Sequence, residues 1–108
     1  MMDEPRFRQL SDEAMEEVRR ALEPAAEEHG FEVDYSAGTL AIEFEEPGPA
    51  KFVLSPNTPV RQVWVSALAR SFKLEWVEEK RAFVWPQTGE TLVDLLARLV
   101  RQHLTPNT

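Results

Sequence analysis

The sequence predicts an α+β fold, a two-layer α/β sandwich in one domain over residues 1–108. Three observations predict it. Apolar residues recur at steps of three and four near both chain ends, which is helical spacing. Between these segments, six short runs alternate with a period of two, and short polar turns separate them. We therefore expect an N-terminal helix, a six-stranded antiparallel sheet and a C-terminal helix, with both helices on one sheet face.

The first helix is predicted from about residue 5 to residue 23. Pro5 suits its first turn, and the apolar stripe comprises Phe7, Leu10, Ala14, Val18, Leu22 and Ala25. Pro24 lacks an N–H group and obstructs the preceding turn, so we expect the helix to end or kink there. One further turn is allowed before Gly30 stops it.

The six predicted strands follow from residue 31 onward. The segments FEVDY and TLAIEFE flank the turn SAG and form a hairpin, with the acids of both segments pointing outward. The next four strands are KFVLS, RQVWVSAL, FKLEWV and RAFVWP. The closing helix is predicted from about residue 90 to residue 104, with the apolar stripe Leu92, Leu95, Leu96, Leu99 and Val100.

Trp64 is an unusual residue for its position in this pattern. In RQVWVSAL, alternation places Val63 and Val65 on one face of the strand and Trp64 on the other. If the helices cover the valine face, Trp64 lies on the face that water reaches. Gln62 and Ser66 are its neighbours there, so a large apolar side chain is predicted among polar ones.

Composition narrows the function classes. The chain carries a net charge of −7 and no cysteine, which excludes disulfides, thiolate metal sites and cysteine nucleophiles. Residues 1–50 hold 14 acids against 4 arginines. This half is a poor nucleic-acid binder and suits cations or a basic protein surface, or the acids serve solubility alone. No apolar run approaches the roughly 18 residues of a membrane span, and no secretory signal is visible, so we expect a cytoplasmic protein.

The sequence contains none of the common catalytic motifs. A phosphate loop, a G-x-S-x-G elbow and an H-E-x-x-H zinc motif are all missing from it. What remains is a concentration of carboxylates on the first helix and the first hairpin. Oxygen ligands of this kind suit magnesium, calcium, manganese and iron, with modest affinity at an open surface. A solvated helix face without bound metal is the alternative.

Several segments together resemble the frataxin family, in particular its bacterial members. They are AGTLAIEFE, FVLSPNTPVRQVWVSAL with its Gln62-Val63-Trp64 triplet, and GETLVDLL at the start of the second helix. The similarity runs from about Phe7 to Leu104. It implies a two-layer sandwich that binds iron (Fe²⁺ or Fe³⁺) weakly at its surface, with other divalent cations as possible ligands. It also implies a role in iron–sulfur cluster assembly, with a cysteine desulfurase and an iron–sulfur scaffold protein as partners.

The resemblance also implies site residues. By this resemblance, the residues that correspond to the family's metal-binding surface are Glu23, Glu27, Glu28, Glu32 and Asp34. Partner contacts carry over to Gln62, Trp64, Ser66, Glu16 and Glu17. Arg19, Arg20 and Pro24 depart from the family pattern and interrupt the acidic ridge.

Three hypotheses follow. The first is a non-enzymatic, iron-binding protein that regulates the desulfurase or donates iron. It binds neither nucleic acid nor membrane. It is a monomer, and any oligomerisation depends on metal. The second is a protein-interaction module that binds the desulfurase–scaffold complex and whose metal binding is incidental. The third, a ferroxidase, is disfavoured because the sequence offers no pair of ligand-rich helices for a di-iron centre.

Overall fold

The chain folds as a helix, a sheet meander and a second helix in a computed structural model, which describes residues 2–105. The elements are α1 (Glu4–His29), β1 (Glu32–Ser36), β2 (Thr39–Phe44), β3 (Ala50–Asn57), a 3₁₀ turn (Thr58–Val60), β4 (Gln62–Ala67), β5 (Arg70–Val77), β6 (Ala82–Trp85), β7 (Glu90–Thr91) and α2 (Leu92–Leu104). The strands lie in sequence order and every pair is antiparallel. The predicted fold class is confirmed. Residue 1 and residues 106–108 of the predicted domain lie outside the described part.

A single core lies between the sheet and the two helices. Its largest fully buried side chains are Phe7, Met15, Leu40, Ile42, Phe52, Leu54, Phe72, Leu74, Phe83, Leu95, Leu96 and Leu99. They come from α1, α2 and one face of strands β2 to β6, so both helices cover the same face. The opposite sheet face, called the open face below, has no helix over it within residues 2–105.

Helix α1 continues past Pro24, the residue at which the sequence predicted an end or a kink, and includes the further turn that was allowed before Gly30. Asp3 caps its start by accepting a hydrogen bond from the backbone N–H of Arg6 at 2.9 Å. The helix runs through Pro24 to His29, because Leu22 is buried on one side of the proline and Ala25 and Ala26 pack against the core on the other. Tertiary packing thus outweighs the loss of one backbone hydrogen bond. Gly30 then ends the helix at a φ of 76°, where its N–H bonds Ala26 at 2.8 Å.

The second helix begins two residues later than predicted, and within residues 2–105 the sheet has seven strands rather than six. Glu90 and Thr91 pair with Trp85 and Val84 as β7. Thr91 also caps α2, since its hydroxyl accepts a hydrogen bond from the N–H of Asp94 at 3.3 Å. A strand of two residues shows no alternation, so the sequence pattern could not reveal it.

The predicted orientation of the β4 side chains, with the valines inward and Trp64 outward, is confirmed. Val63, Val65 and Ala67 are buried, with at most 2% of their surface exposed, whereas Trp64 is 37% exposed. Trp64 lies on the open face, opposite Ser55 of β3 and Lys73 of β5. Among residues 2–105, no helix has both the length and the apolar character needed to cross a bilayer.

Candidate functional site

Trp64 lies on the open face in contact with polar neighbours. Its indole N–H donates to Oε1 of Gln62 at 2.8 Å, and the amide of Gln62 donates to Glu75 at 3.2 Å. The ammonium of Lys73 lies 4.8 Å from the centre of the indole ring. A hydrogen bond and a cation–π contact therefore fix an exposed aromatic side chain in one orientation.

This arrangement suits macromolecular docking. A preoriented indole loses little conformational freedom on binding, and aromatic side chains are enriched at the centres of protein interfaces. We call Ser55, Gln62, Trp64, Ser66 and Lys73 the Trp64 face. The structure places three of the sequence-predicted contact residues, Gln62, Trp64 and Ser66, together on it.

Sequence reasoning missed Lys73, although a signal was available. Alternation in FKLEWV puts Lys73 and Glu75 on the open face, and a two-residue turn between β4 and β5 pairs Trp64 with Lys73. The predicted strands RQVWVSAL and FKLEWV leave residues 69–71 between them as the turn, whereas the structure has the turn at Leu68 and Ala69. The misplaced turn concealed the register, and with it the cation beside Trp64.

The second candidate surface is the acidic edge formed by α1 and β1. We use this name for Glu16, Glu23, Glu27, Glu28, Glu32 and Asp34. Glu32 and Asp34 are exposed on the outer strand of the sheet. Glu23 and Glu27 line a shallow depression of about 270 Å³ whose floor includes Phe31 and Val33.

Arg19 lies inside this acidic edge and neutralises part of it. Its guanidinium donates to Glu16 at 3.1 Å and lies 3.9 Å from Glu23. The hydrogen bond from Arg19 lowers the pKa of the Glu16 carboxyl below its usual value, and the same contact raises the pKa of Arg19. Arg20 also lies 3.9 Å from Glu16. Two of the acids are thus already paired with cations of the same helix.

The acidic edge is not a ready-made chelate. Over residues 2–105, no group of three or more histidine, aspartate and glutamate side chains is close enough to hold a metal ion. The donor chemistry suits a hard cation, but the geometry does not converge on one point. The metal roles of Glu23, Glu27, Glu28, Glu32 and Asp34 remain predictions.

Glu17 does not join Glu16 in one site. It is exposed and lines a separate notch of about 90 Å³ between α1, α2 and the far edge of the sheet, together with Glu13, Trp76 and Arg81. Glu16 instead faces the arginines described above. The two neighbouring acids therefore belong to different surfaces, and their partner roles remain predictions.

A two-layer α+β sandwich with an exposed, oriented tryptophan on its free face defines the structural class of this protein. The family model described as a frataxin-like domain matches residues 1–106. The chain belongs to the frataxin-like family.

Relatives of known name support the assignment. The chain is 33% identical over 101 residues to the iron-sulfur cluster assembly protein CyaY of Pseudomonas putida strain GB-1, covering 92% of this chain and 86% of the relative. It is 30% identical over 103 residues to the protein of the same name from Azotobacter vinelandii, covering 95% and 90%.

Two solved structures share the fold. Frataxin from Psychromonas ingrahamii superposes with a TM-score of 0.70 at 23% identity, covering 94% of this chain and 91% of that one. Yeast frataxin superposes with a TM-score of 0.71 at 19% identity, covering 96% and 85%. These similarities confirm the helix, sheet and helix architecture.

Proposed function

We propose that this protein is a non-enzymatic accessory factor of iron–sulfur cluster assembly in the bacterial cytoplasm. In this role it docks through the Trp64 face onto a complex of a cysteine desulfurase with a scaffold protein. Its family membership and the shared name of its curated relatives support the pathway. The acidic edge then meets cations, either a weakly bound iron ion or basic side chains of the partner.

The observation that carries this proposal is the state of Trp64. It is 37% exposed on the helix-free face, yet Gln62 and Lys73 fix its orientation. A tryptophan that served only the fold would gain more by lying in the core. An oriented, exposed indole instead supplies a ready anchor for a partner's pocket.

Iron enters the proposal as cargo, delivered to or sensed by the assembly machinery. Exposed carboxylates such as Glu27 and Glu32 supply one or two oxygen ligands to an ion that keeps most of its water. Binding of this kind is weak, salt-sensitive and poorly selective among divalent cations. It also leaves the iron free to be passed on.

A second candidate function is a pure interaction module whose metal binding is incidental. The pairing of Arg19 with Glu16 and Glu23 favours it, because these acids already have cationic partners. In this version the acidic edge attracts a basic patch on the partner and accelerates association. Nuclear magnetic resonance titrations with ferrous iron and with the desulfurase separate the two versions by whether both ligands perturb the acidic edge.

The test of the docking proposal uses two adjacent residues of β4. Trp64→Ala should weaken binding to the purified desulfurase–scaffold complex by about 2 kcal/mol or more, as expected for an interface anchor. It should cost far less stability than the roughly 3–5 kcal/mol typical of truncating a buried tryptophan.

Val65→Ala is the matched control, because Val65 is 1% exposed and faces the core. It should lower the free energy of unfolding by about 2 kcal/mol while the folded variant still binds the complex. Urea denaturation and biolayer interferometry on both variants give the two measurements. Unchanged binding by Trp64→Ala would show that the Trp64 face is not the docking surface.

A further inference from the structure

A depression of about 180 Å³ lies beside Trp64 on the open face. Two cross-strand rows of side chains bound it, Ser55–Trp64–Lys73 and Val53–Ser66–Ser71. Residues directly opposite each other on neighbouring strands have adjacent side chains, so each row is a continuous wall. The backbone of β4 and β5 at Val65 and Phe72 forms part of the floor.

The polar groups around this depression carry hydrogen-bond donors that have no acceptor partner among residues 2–105. Lys73 forms no ion pair and no side-chain hydrogen bond with any of residues 2–105, and its ammonium lies 4.8 Å from the centre of the Trp64 ring. The hydroxyls of Ser55, Ser66 and Ser71 also have no hydrogen-bond partner in the described part of the chain. One positive charge and three hydroxyl groups therefore border a single small pocket.

These donors select an acceptor with negative charge. A carboxylate offers two oxygens and about four lone-pair positions, which match one ammonium and two or three hydroxyls. Charge-assisted hydrogen bonds of this type are about twice as strong as neutral ones. An amide or a second hydroxyl would satisfy the serines and leave the ammonium without a counter-ion.

The size of the pocket decides between a small molecule and a side chain. Sites for whole cofactors or drug-sized ligands occupy about 300–1,000 Å³ and enclose most of the ligand. A depression of about 180 Å³ that opens to solvent accommodates one side chain. Such a side chain gains affinity when the protein that carries it covers the pocket and excludes water, and the exposed indole beside the pocket provides surface for that contact.

We propose that this pocket receives the carboxylate of an aspartate or glutamate side chain of the protein partner. The Lys73 ammonium and the hydroxyls of Ser66 and Ser71 hold the carboxylate, and its methylene groups pack against Trp64. This inference rests on the proposed function and adds the chemistry of the partner. The partner then carries an acid opposite Lys73 and basic residues opposite the acidic edge, so opposite charges fix the register of docking.

The first experiment tests the pocket in the free protein, without any partner. Nitrogen–proton correlation spectra are recorded during titration with acetate and, separately, with acetamide, which has nearly the same shape and no charge. Acetate should give saturable shifts at the amides of Ser66, Ser71 and Lys73 and at the indole N–H of Trp64. Acetamide should shift them little. Equal shifts with both probes would overturn the proposal.

Variants assign the acetate response to individual groups. Lys73→Gln should abolish it and Lys73→Arg should retain it. Ser66→Ala/Ser71→Ala should weaken it while the cation–π contact of Lys73 with Trp64 persists. Lys51→Gln is the control, because Lys51 lies on the same sheet face but is 3.8 Å from Glu43. If the response survives in Lys73→Gln, or if inorganic phosphate binds these amides more tightly than acetate, the carboxylate assignment is wrong.

The second experiment moves to the desulfurase–scaffold complex. Lys73→Glu should weaken binding about tenfold or more, because it places a like charge opposite the partner's carboxylate. Lys51→Gln should bind as the parent protein does. If Trp64→Ala loses binding while Lys73→Glu binds normally, the docking function stands and this inference fails. If neither variant loses binding, the proposed docking function fails, and the acetate titration still decides the chemistry of the pocket.

Discussion

Glu90 and Arg98 are joined by two hydrogen bonds that tie the last strand to the last helix. The guanidinium of Arg98 donates from Nε to Oε2 at 2.8 Å and from Nη2 to Oε1 at 2.9 Å. Both side chains are largely shielded, with 22% of Glu90 and 29% of Arg98 exposed. Arg98, helped by a hydrogen bond from Thr88, lowers the pKa of Glu90 from 4.5 to about 2. The paired carboxylate therefore stays ionised in moderately acidic solution.

The first prediction concerns stability against acid. A carboxyl group whose pKa is lowered by folding stabilises the native state above its unfolded pKa, and this contribution is lost as the pH falls through the folded value. Glu90→Gln should lower the free energy of unfolding by about 1–2 kcal/mol at neutral pH. The difference from the parent protein should shrink from pH 4.5 downward and vanish near pH 2. Urea denaturation across this pH range measures it.

The control for this prediction is Glu45→Gln. Glu45 is exposed and forms no ion pair with another described residue. Its replacement should change stability by less than about 0.5 kcal/mol at neutral pH. A difference between Glu90→Gln and the parent protein that stays constant down to pH 2 would contradict the role assigned to the pair.

The second prediction uses the single tyrosine of the chain. Burial raises the pKa of Tyr35, and the 2.6 Å hydrogen bond that its hydroxyl donates to Asp12 raises it further, from 10 to about 12 in all. The raised pKa favours the folded state below pH 10, and this contribution is lost as the pH rises through about 12. Ultraviolet absorbance should show little tyrosinate at pH 10 to 11 while circular dichroism remains native.

Asp12→Asn is the informative variant for Tyr35. It keeps a hydrogen-bond acceptor but removes the negative charge that opposes ionisation, so the pKa of Tyr35 should fall toward 10. Because the sequence has only one tyrosine, the absorbance change needs no deconvolution. If Tyr35 of the folded parent protein titrated with a pKa near 10, the contact between Tyr35 of β1 and Asp12 of α1 would be absent in solution.

The third prediction concerns Arg19 and metal binding. Arg19→Gln removes a positive charge from between Glu16 and Glu23 and frees the Glu23 carboxylate, while Glu16 keeps Arg20 as its only cationic neighbour among residues 2–105. Manganese should bind the acidic edge about tenfold more tightly at low ionic strength, since a unit charge about 6 Å from a divalent ion acts with about 1.4 kcal/mol in water. Paramagnetic broadening of the Glu23 and Glu27 amides reports the binding, and added salt should reduce the difference.

Arg8→Gln is the matched control for Arg19, because Arg8 pairs with Glu4 at the other end of α1. It should leave manganese affinity at the acidic edge unchanged. If both arginine variants bind manganese as the parent protein does, Arg19 does not compete with metal. If Glu90 or Asp94 broadens before Glu23, the acidic edge is not the metal surface.

The fourth prediction concerns the turn between β4 and β5. Leu68 and Ala69 both have positive φ, at 54° and 61°, although neither is glycine. Left-handed backbone costs an L-residue roughly 1–2 kcal/mol, and glycine avoids that cost at the expense of a more flexible unfolded chain. Ala69→Gly should therefore raise the free energy of unfolding by about 0.5–1 kcal/mol. Thermal and urea denaturation measure it.

Ala25→Gly gives the opposite expectation in the same experiment. Ala25 lies inside α1, where glycine is unfavourable by about 1 kcal/mol. Destabilisation by both glycine substitutions would show that the Leu68–Ala69 turn is not strained in solution.

Much of the fold could be predicted because the apolar residues of most elements follow a single period, helical in the two helices and twofold in the strands. Alternation in β4 placed Val65 in the core and Trp64 on the open face, and both positions are confirmed. The sequence could not decide whether α1 ends at Pro24 or continues for one more turn, since the outcome depends on how Ala25 and Ala26 pack against a core formed by distant strands. Local propensity and tertiary packing disagreed at that residue, and packing was stronger.

The candidate site was less predictable than the fold. Trp64 and Gln62 stand next to each other in the pattern, so sequence alone brought them together. Lys73 reaches Trp64 only through the exact pairing of β4 with β5, and a turn placed at residues 69–71 instead of at Leu68 and Ala69 hides it. Arg19 was recognised as an interruption, but its pairing with Glu16 depends on side-chain conformation, which the sequence does not specify.

The order in which contacts form follows from the meander. Each strand pairs with its neighbour in sequence, so the hairpins close short loops at small entropic cost, whereas joining α1 to α2 closes a loop of nearly the whole chain. We expect the sheet to form early and the helix pair late. Substitutions such as Leu10→Ala, where α1 meets α2, should then speed unfolding while folding keeps its rate. The lifetime of the native molecule would thus be set by the contact between α1 and α2, the helices at the two ends of the sequence order.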